Sequence, residues 1–447
     1  EERTTVTLSD QHRLRHMHLI GATGTGKSSM LQKFIIQDVT AGNGVAVLDP
    51  HGDLIDGIIR HLPQERHKDV ILVDPSDGEY PIGLNLLSAS SEGEKIILSS
   101  DLVALFRRFA TSWGDQMTSV LSNAVNAMLE SKTGGTLIDL RRFLVEPGFR
   151  NNFLESVGDP NIQYYWKHEF QLLRPGVTAP ILTRLDTFLR PRIIRHMMAQ
   201  KDGLDFRNVL DTRKILLVKL AQGLIGEENS YLLGTLFVTK LQQAAQSRQN
   251  ISAEQRTPFY LYIDEFQHFV TPSMSAILSG ARKYGLGLIL AHQDLDQLVF
   301  KDAELANSVL SNPYTRICFR CGDKDATRLE SSFSFFDASD LQNLPIGHAI
   351  ARVGQKDHDF NLTFDLLPVV DPNTSEGNMR SVVAHCRSTY GLHQSEVEKI
   401  LSKAYDIGAE RTKPAAQPAA EKPLPDTQRG LPKTQEIKEP PLAEELE

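Results

Sequence analysis

Cysteine is nearly absent, with three residues in a chain of 447. That excludes a disulfide-stapled scaffold and fits a reducing compartment. Tryptophan occurs twice. No run of 18 or more apolar residues exists, so the sequence supplies no membrane-spanning helix. No secretory signal pattern opens it. A basic surplus is lacking too: 48 Lys and Arg against 56 Asp and Glu give a net charge of −8. This argues against a histone-like coat for nucleic acid, although it leaves room for a local basic channel. What is present is ordinary for a soluble globular protein, with 40% hydrophobic and 23% charged residues. The length allows two or three domains. The first residue is Glu1 rather than Met, and the strongest motif arrives within about 30 residues. A domain or anchor upstream is therefore expected.

Apolar runs alternate with helical patterns at the start. His18-Leu19-Ile20, Val45 to Leu48 and Asp69 to Val73 read as buried strands. Between the first two, Ser28 to Asp38 carries Met30, Leu31, Phe34 and Ile35 at helical spacing. Strands alternating with helices predict a parallel sheet covered by helices. From about Lys95 to Gln200 the strand runs stop. Helical segments dominate instead: Ile96 to Phe109, Met117 to Leu129, Leu137 to Leu144 and Ile181 to Met198. Sheet patterns then resume at Ile215 to Val218, Phe259 to Ile263, Leu286 to Ala291 and Arg316 to Arg320. A helix is expected over Leu232 to Gln246. A strand pair is expected over Ala349 to Val353 and Phe360 to Phe364, and a last helix over Val397 to Tyr405. The expected organisation is a core at 1–94, an all-α insertion at 95–200, a second part of the core at 201–370, a helical extension at 371–407 and a disordered tail at 408–447. The tail is rich in Pro, Glu, Lys and Ala and has no aromatic residue.

The segment Gly21-Ala22-Thr23-Gly24-Thr25-Gly26-Lys27-Ser28-Ser29 carries the spacing G-x-x-x-x-G-K-[ST] after an expected strand and before an expected helix. Glycines let the backbone turn so that successive N–H groups face phosphate oxygens. The helix start adds partial positive charge. Lys27 would reach the β- and γ-phosphates of ATP, and Ser28 would ligate Mg²⁺. At ordinary residue frequencies the four specified positions match by chance in about one or two chains of this length per hundred. The flanking strand and helix lower that further.

Phe259 to Ile263 ends in Asp264-Glu265. At the carboxyl end of a parallel sheet, where such sheets bind ligands, Asp264 would hold the Mg²⁺ shell and Glu265 would act as general base on water. Alone, two acids at a strand end read as a solvated pair; beside a phosphate loop they read as catalytic. Gln293, after the strand Leu286 to Ala291, would sense the γ-phosphate or orient water, or else cap a turn. Arg282, in Gly280-Ala-Arg-Lys-Tyr-Gly285, would stabilise charge on a neighbouring subunit's phosphates, or else end a helix in solvent.

The order of phosphate loop, helical insertion, Asp-Glu strand and Gln strand resembles the HerA/FtsK superfamily of hexameric DNA translocases. More specifically it resembles the cytoplasmic ATPase of conjugative type IV secretion coupling proteins. The residues that carry this likeness are Gly21 to Ser28, Asp49-Pro-His-Gly-Asp53, Pro81-Ile-Gly-Leu-Asn85, Asp264-Glu265-Phe-Gln267, Ala281 to Gly285 and Ala291-His-Gln293, over about residues 10–365. The resemblance implies an α/β fold with a RecA-like P-loop core, a mostly parallel central sheet and an all-α insertion. It implies a DNA-stimulated ATPase that uses ATP and Mg²⁺ and moves DNA through a homohexameric ring. Contacts would fall mainly on DNA phosphates without sequence preference. A relaxase or secretion-channel component would be a partner. The protein would work in the cytoplasm, at the inner face of the membrane through an upstream segment or a partner. Gln293 and Arg282 match the family's sensor and arginine-finger positions; Asp49 lies near the site without an assigned step. Two other readings are a HerA-like ATPase in repair, chromosome processing or packaging, and a cargo-recruitment module that binds nucleotide without turning it over. The intact Glu265 argues against the last.

Remaining features read as structural. The insertion carries 13 Lys and Arg against 9 Asp and Glu, with Arg184, Arg190, Arg192 and Arg195 in one expected helical segment. A solvated face competes there with a DNA surface. Cys318 and Cys321 lack further zinc ligands, and strand periodicity would put them on opposite faces as buried thiols. His12, His16 and His18 lack the partners of a metal site. Tyr164-Tyr165-Trp166 would pack inside the insertion rather than stack on bases.

Overall fold

The computed structural model describes residues 4–89, 91–108, 113–269, 274–301 and 303–406. The expected tail at 408–447 and the expected helix end at Phe109 lie outside the described residues. The strands are β1 (Met17–Ile20), β2 (Gly44–Asp49), β3 (Val70–Val73), β4 (Ile215–Lys219), β5 (Phe259–Ile263), β6 (Leu286–His292), β7 (Thr315–Cys318), β8 (His348–Val353) and β9 (Asp359–Thr363). They form one sheet in the order β3-β4-β2-β5-β6-β1-β7-β8-β9. Pairing from β3 through β7 is parallel, and β8 and β9 add an antiparallel hairpin.

Burial on both faces is what gives the inner strands continuous apolar runs. Every residue of β1, β2 and β5 is buried. One face, with Leu19, Val47, Tyr262 and Ile289, shares a core with the helices Lys27–Thr40 and Asp53–Arg60. The other, with Leu48, Ile263, Leu288 and Leu290, shares a core with the helix Glu227–Ser247 and the helical segment. That long helix is buried at every position from Asn229 to Ala245, because it is covered from more than one side.

Among the described residues from Glu92 to Met198 there are helices and no strand beyond an isolated bridge between Ser131 and Val157. The single expected segment from Ile181 to Met198 is instead two helices, Ala179–Leu189 and Arg192–Met198. Pro191 separates them, since a proline interior to a helix has no N–H to donate and crowds the preceding turn. Of Tyr164-Tyr165-Trp166, Tyr165 and Trp166 are buried, with the Trp166 ring edge-on to Phe143 at 4.8 Å, as helix packing predicts, whereas Tyr164 is exposed. β7 stops at Cys318 rather than running to Arg320, and the chain turns. Cys318 and Cys321 therefore enter the same apolar cluster, not opposite faces. Burial raises both thiols to about 12. Past the hairpin, the helix Pro372–Thr389 packs along the edge strand β3.

Candidate active site

The phosphate loop leaves β1 between its two neighbours. Gly21 N donates to His292 O at the end of β6 (3.3 Å), and Ala22 N donates to Arg320 O beyond β7 (2.9 Å). Gly24 and Gly26 take φ of 75° and 113°, backbone that side chains rarely adopt. Thr25 Oγ1 donates to Ala22 O (2.7 Å), and Gly347 N donates to Thr25 O (2.9 Å), so the β8 side closes over the loop. A Cβ on Gly26 would stand 3.3 Å from the Gly347 backbone. Lys27 opens the helix. The first N–H groups of a helix have no intrahelical partner and face forward, toward the place a phosphate would occupy. Ser28 is exposed and Ser29 half-buried at this start.

Five side chains meet beside the loop. Lys27 is buried, and its Nζ donates to Glu265 Oε1 (3.3 Å) and to Gly21 O (3.5 Å). Gln293 bridges the loop to the carboxylate: its Oε1 accepts from Thr23 Oγ1 (2.7 Å), and its Nε2 donates to Glu265 Oε1 (2.6 Å). Gln267 Nε2 donates to Glu265 Oε2 (2.7 Å). Glu265 adopts a left-handed backbone, φ 47°, and its N–H donates to Asp264 Oδ1 (3.1 Å). A strained residue held by three donors is a positioned one.

Their ionisation is set by burial against local charge. Burial pushes the Asp264 carboxyl up to about 6; Lys27 opposes this, and the Glu265 and Asp49 carboxylates add to it. Burial would raise Glu265 as well, but Lys27, Gln267 and Gln293 outweigh it and hold Glu265 below the usual glutamate range. Asp49 is structural. Its Oδ1 accepts from His51 N (2.9 Å) and its Oδ2 from Ile55 N (3.1 Å), tying β2 to the start of the next helix.

The loop, Glu265 and Gln293 line a cavity of about 560 Å³. Its far wall comes from Ile346, His348, Thr363, Phe364, Asp365 and Leu366, which sequence reasoning missed. They lie in or just outside the β8–β9 hairpin, which carries no motif, and the sheet order brings them opposite the loop. A second cavity, about 410 Å³ beside β3 and Arg387, is lined by none of the loop or carboxylate residues.

Arg282 is not brought to this site. It is exposed on the turn Ala281–Tyr284, before the opposite end of β6 from Gln293. Two of the insertion's arginines have partners of their own. Arg192 pairs with Glu398, while Arg195 caps carbonyls of Leu189 and Arg190. His12 stacks on Tyr314 and His16 Nδ1 accepts from Leu288 N. Among the described residues, no group of three or more His, Cys, Asp or Glu is placed to hold a metal, and no helix is long and apolar enough to cross a membrane.

The residues present suit a nucleotide with Mg²⁺. Forward-facing N–H groups and a buried ammonium suit phosphates, and a serine hydroxyl with a buried carboxylate suits a hard cation. Comparison with known proteins agrees with this arrangement. Residues 2–343 match the family described as the type IV secretion-system coupling protein DNA-binding domain. The chain is 22% identical over 379 residues to the type 4 coupling protein DotL of Legionella pneumophila, covering 70% of this chain and 48% of that protein. It thus spans about half the length of that curated relative. The solved structure of plasmid coupling protein TrwB in complex with ADP and Mg²⁺ is similar at a TM-score of 0.59 and 16% identity, covering 84% of this chain and 92% of that one. The structure of VirB4 of Thermoanaerobacter pseudethanolicus is similar at 0.57 and 14% identity, covering 81% and 94%. At these identities the likeness to solved structures is one of fold.

Proposed function

The chain belongs to the type IV secretion-system coupling protein family, and from that premise we propose that it is an ATP-driven motor that moves DNA toward a secretion channel. The observation that carries this reading is the joining of the phosphate loop, Glu265 and Gln293 by hydrogen bonds around one cavity. Bound Mg²⁺-ATP would supply the γ-phosphoryl group and the cation that shields its charge. The loop N–H groups and Lys27 would hold the phosphates, Ser28 and Asp264 would hold the cation, Glu265 would take a proton from the attacking water, and Gln293 would orient that water. Lys27 has a second effect. Its charge is the largest influence lowering Glu265.

Arg282, remote from its own loop, would serve a neighbour's site, which favours a ring. DNA would be held by its phosphates. A relaxase or a channel component would deliver or receive the DNA at the cytoplasmic face of the membrane. The likeness to TrwB, a plasmid coupling protein bound to ADP and Mg²⁺, supports the nucleotide and the pathway. The test is phosphate release with and without DNA. Wild type should hydrolyse ATP faster with DNA. Lys27→Ala should lose nucleotide binding, and Glu265→Gln should bind ATP yet lose about 100-fold or more in kcat. No DNA stimulation and no effect of Lys27→Ala would end the motor reading.

A further inference from the structure

We infer that His18 and His292 are positioning residues for Gln293, and that the buried hydrogen bond between their imidazoles sets the aim of its amide. The inference rests on the hydrolytic reading above. His18 lies in β1, two residues before the strand ends at the phosphate loop. His292 ends β6, directly before Gln293. The two strands are parallel neighbours, with His18 opposite Leu290 and Ile20 opposite His292. Both rings are fully buried, 4.9 Å apart and 19° from parallel, and their Nε2 atoms are 2.6 Å apart.

The partners fix which nitrogen carries each proton. His292 Nδ1 lies 3.1 Å from Asp294 O. A carbonyl oxygen only accepts, so Nδ1 is protonated and His292 Nε2 presents a lone pair. That lone pair must accept from His18 Nε2–H. His18 Nδ1 is then an acceptor, and it is buried without a partner in this structure. Neither ring is charged, since burial holds both well below the usual histidine range, and the nearby Arg316 further disfavours charge on His18.

A directed chain results: His18 donates to His292, and His292 donates to the carbonyl two residues on. This braces the backbone on both sides of Gln293. From that turn the Gln293 amide reaches Thr23 and Glu265 together. The ring of Phe266, which follows Glu265, packs edge-on against His292 at 5.0 Å, so the brace also touches the segment of the base. Two imidazoles are a costly filling for a sheet interior; leucine would fill it more cheaply, since burying polar groups costs free energy even when they are paired. Their use here points to the direction of the hydrogen bonds, not to volume.

The test compares His18→Leu, which removes the donor, with His18→Gln, which keeps an N–H, each in the wild-type and Gln293→Ala backgrounds of the full chain. His18→Leu should lower kcat for ATP about 10- to 100-fold, as a misaimed group does, with ATP affinity changed less than about twofold. His18→Gln should recover most of that loss. In Gln293→Ala the His18→Leu change should cost almost nothing further, because both act through one amide. Equal cost in both backgrounds, or no recovery by Gln, overturns the proposal. If wild type hydrolyses no ATP, the motor reading falls and this one with it; if wild type is active and the cycle is additive, only this one falls. Should His18→Leu fail to fold, histidine ¹⁵N spectra of wild type decide: protons on His292 Nδ1 and His18 Nε2 support the brace, and the opposite tautomers overturn it.

Discussion

Three histidines of the central sheet are buried in the neutral form: His18 and His292 toward the site, and His16 just before the start of β1, at the opposite end. Burial lowers His16 and His292 to about 4, and lowers His18 well below its usual value. The charged groups around them are Arg282 near His16, Arg316 near His18, and Lys27 and Glu265 near His292. An unfolded histidine titrates near 6.5, so between about 6.5 and 4 the unfolded chain binds more protons than the folded one at these three positions. Their contribution to stability is complete above about pH 6.5 and is lost as pH falls toward 4. Asp264 works the other way, since its raised pKa lets the folded chain bind a proton from about pH 6 downward. Three groups outweigh one. The urea midpoint should therefore fall from pH 7 to pH 5, and His16→Gln should flatten the slope by up to about 1.4 kcal/mol per pH unit. A midpoint that held or rose over that range would contradict neutral burial. At this scale the phosphate loop and Asp264-Glu265 were legible in the sequence because each is a contiguous motif with a known chemical need. His18 and Gln267 were not, because their partners, His292 and Glu265, are set by strand order or by a local backbone turn that no spacing encodes.

The element scale shows what protects the sheet. β3 is an edge strand, and an uncovered edge invites pairing with another chain. The helix Pro372–Thr389 covers it. Val382 is fully buried there, and Cys386 Sγ accepts from Leu72 N (3.3 Å) and donates to Val70 O (3.4 Å), engaging edge groups directly. Arg387 adds ion pairs to Asp77 and Glu79, half-exposed and worth little by themselves. Val382→Ala should cost about 2 kcal/mol. Val382→Asp should lift the helix and produce self-association, read as concentration-dependent light scattering; a monodisperse Val382→Asp protein of unchanged melting temperature would show that the helix is not the cover. The sequence made the inner strands legible, because burial on both faces leaves unbroken apolar runs such as Phe259 to Ile263. It also made the helical stretch after Lys95 legible. Ends were less so: Pro191 divides an apparently continuous helical pattern, and β7 stops at Cys318 although apolar residues continue. Those limits come from a single proline and from a turn set by tertiary contacts, where periodicity has little to say.

At the scale of the whole molecule, the site has an uncovered apolar rim. Ile346 and Leu366 stand 70% and 72% exposed at the cavity, apolar surface that another subunit or a nucleobase would cover. Arg282 precedes one end of β6 and Gln293 follows the other. Seven strand residues separate them, about 20 Å at about 3.3 Å per residue, much farther than an arginine side chain reaches. The proposed arginine-finger role of Arg282 therefore requires a site on another subunit, which a head-to-tail ring would supply at every interface. Net charge fits such a division. The chain is acidic at −8, yet residues 95–200 hold 13 bases against 9 acids, so the acidity belongs to the rest of the chain and the helical segment is its basic part. Complementation tests the trans role. Lys27→Ala subunits lack the phosphate lysine but keep Arg282, while Arg282→Ala subunits have the reverse. Each variant alone should hydrolyse ATP near background. Mixed in equal amounts before assembly, about a quarter of interfaces would pair an intact loop with an intact arginine. Activity well above the sum of the two separate variants is expected, measured as phosphate release per subunit. A mixture no better than that sum, from rings shown to contain both variants, would leave Arg282 as an exposed turn residue and require another group to stabilise the charge on the phosphate.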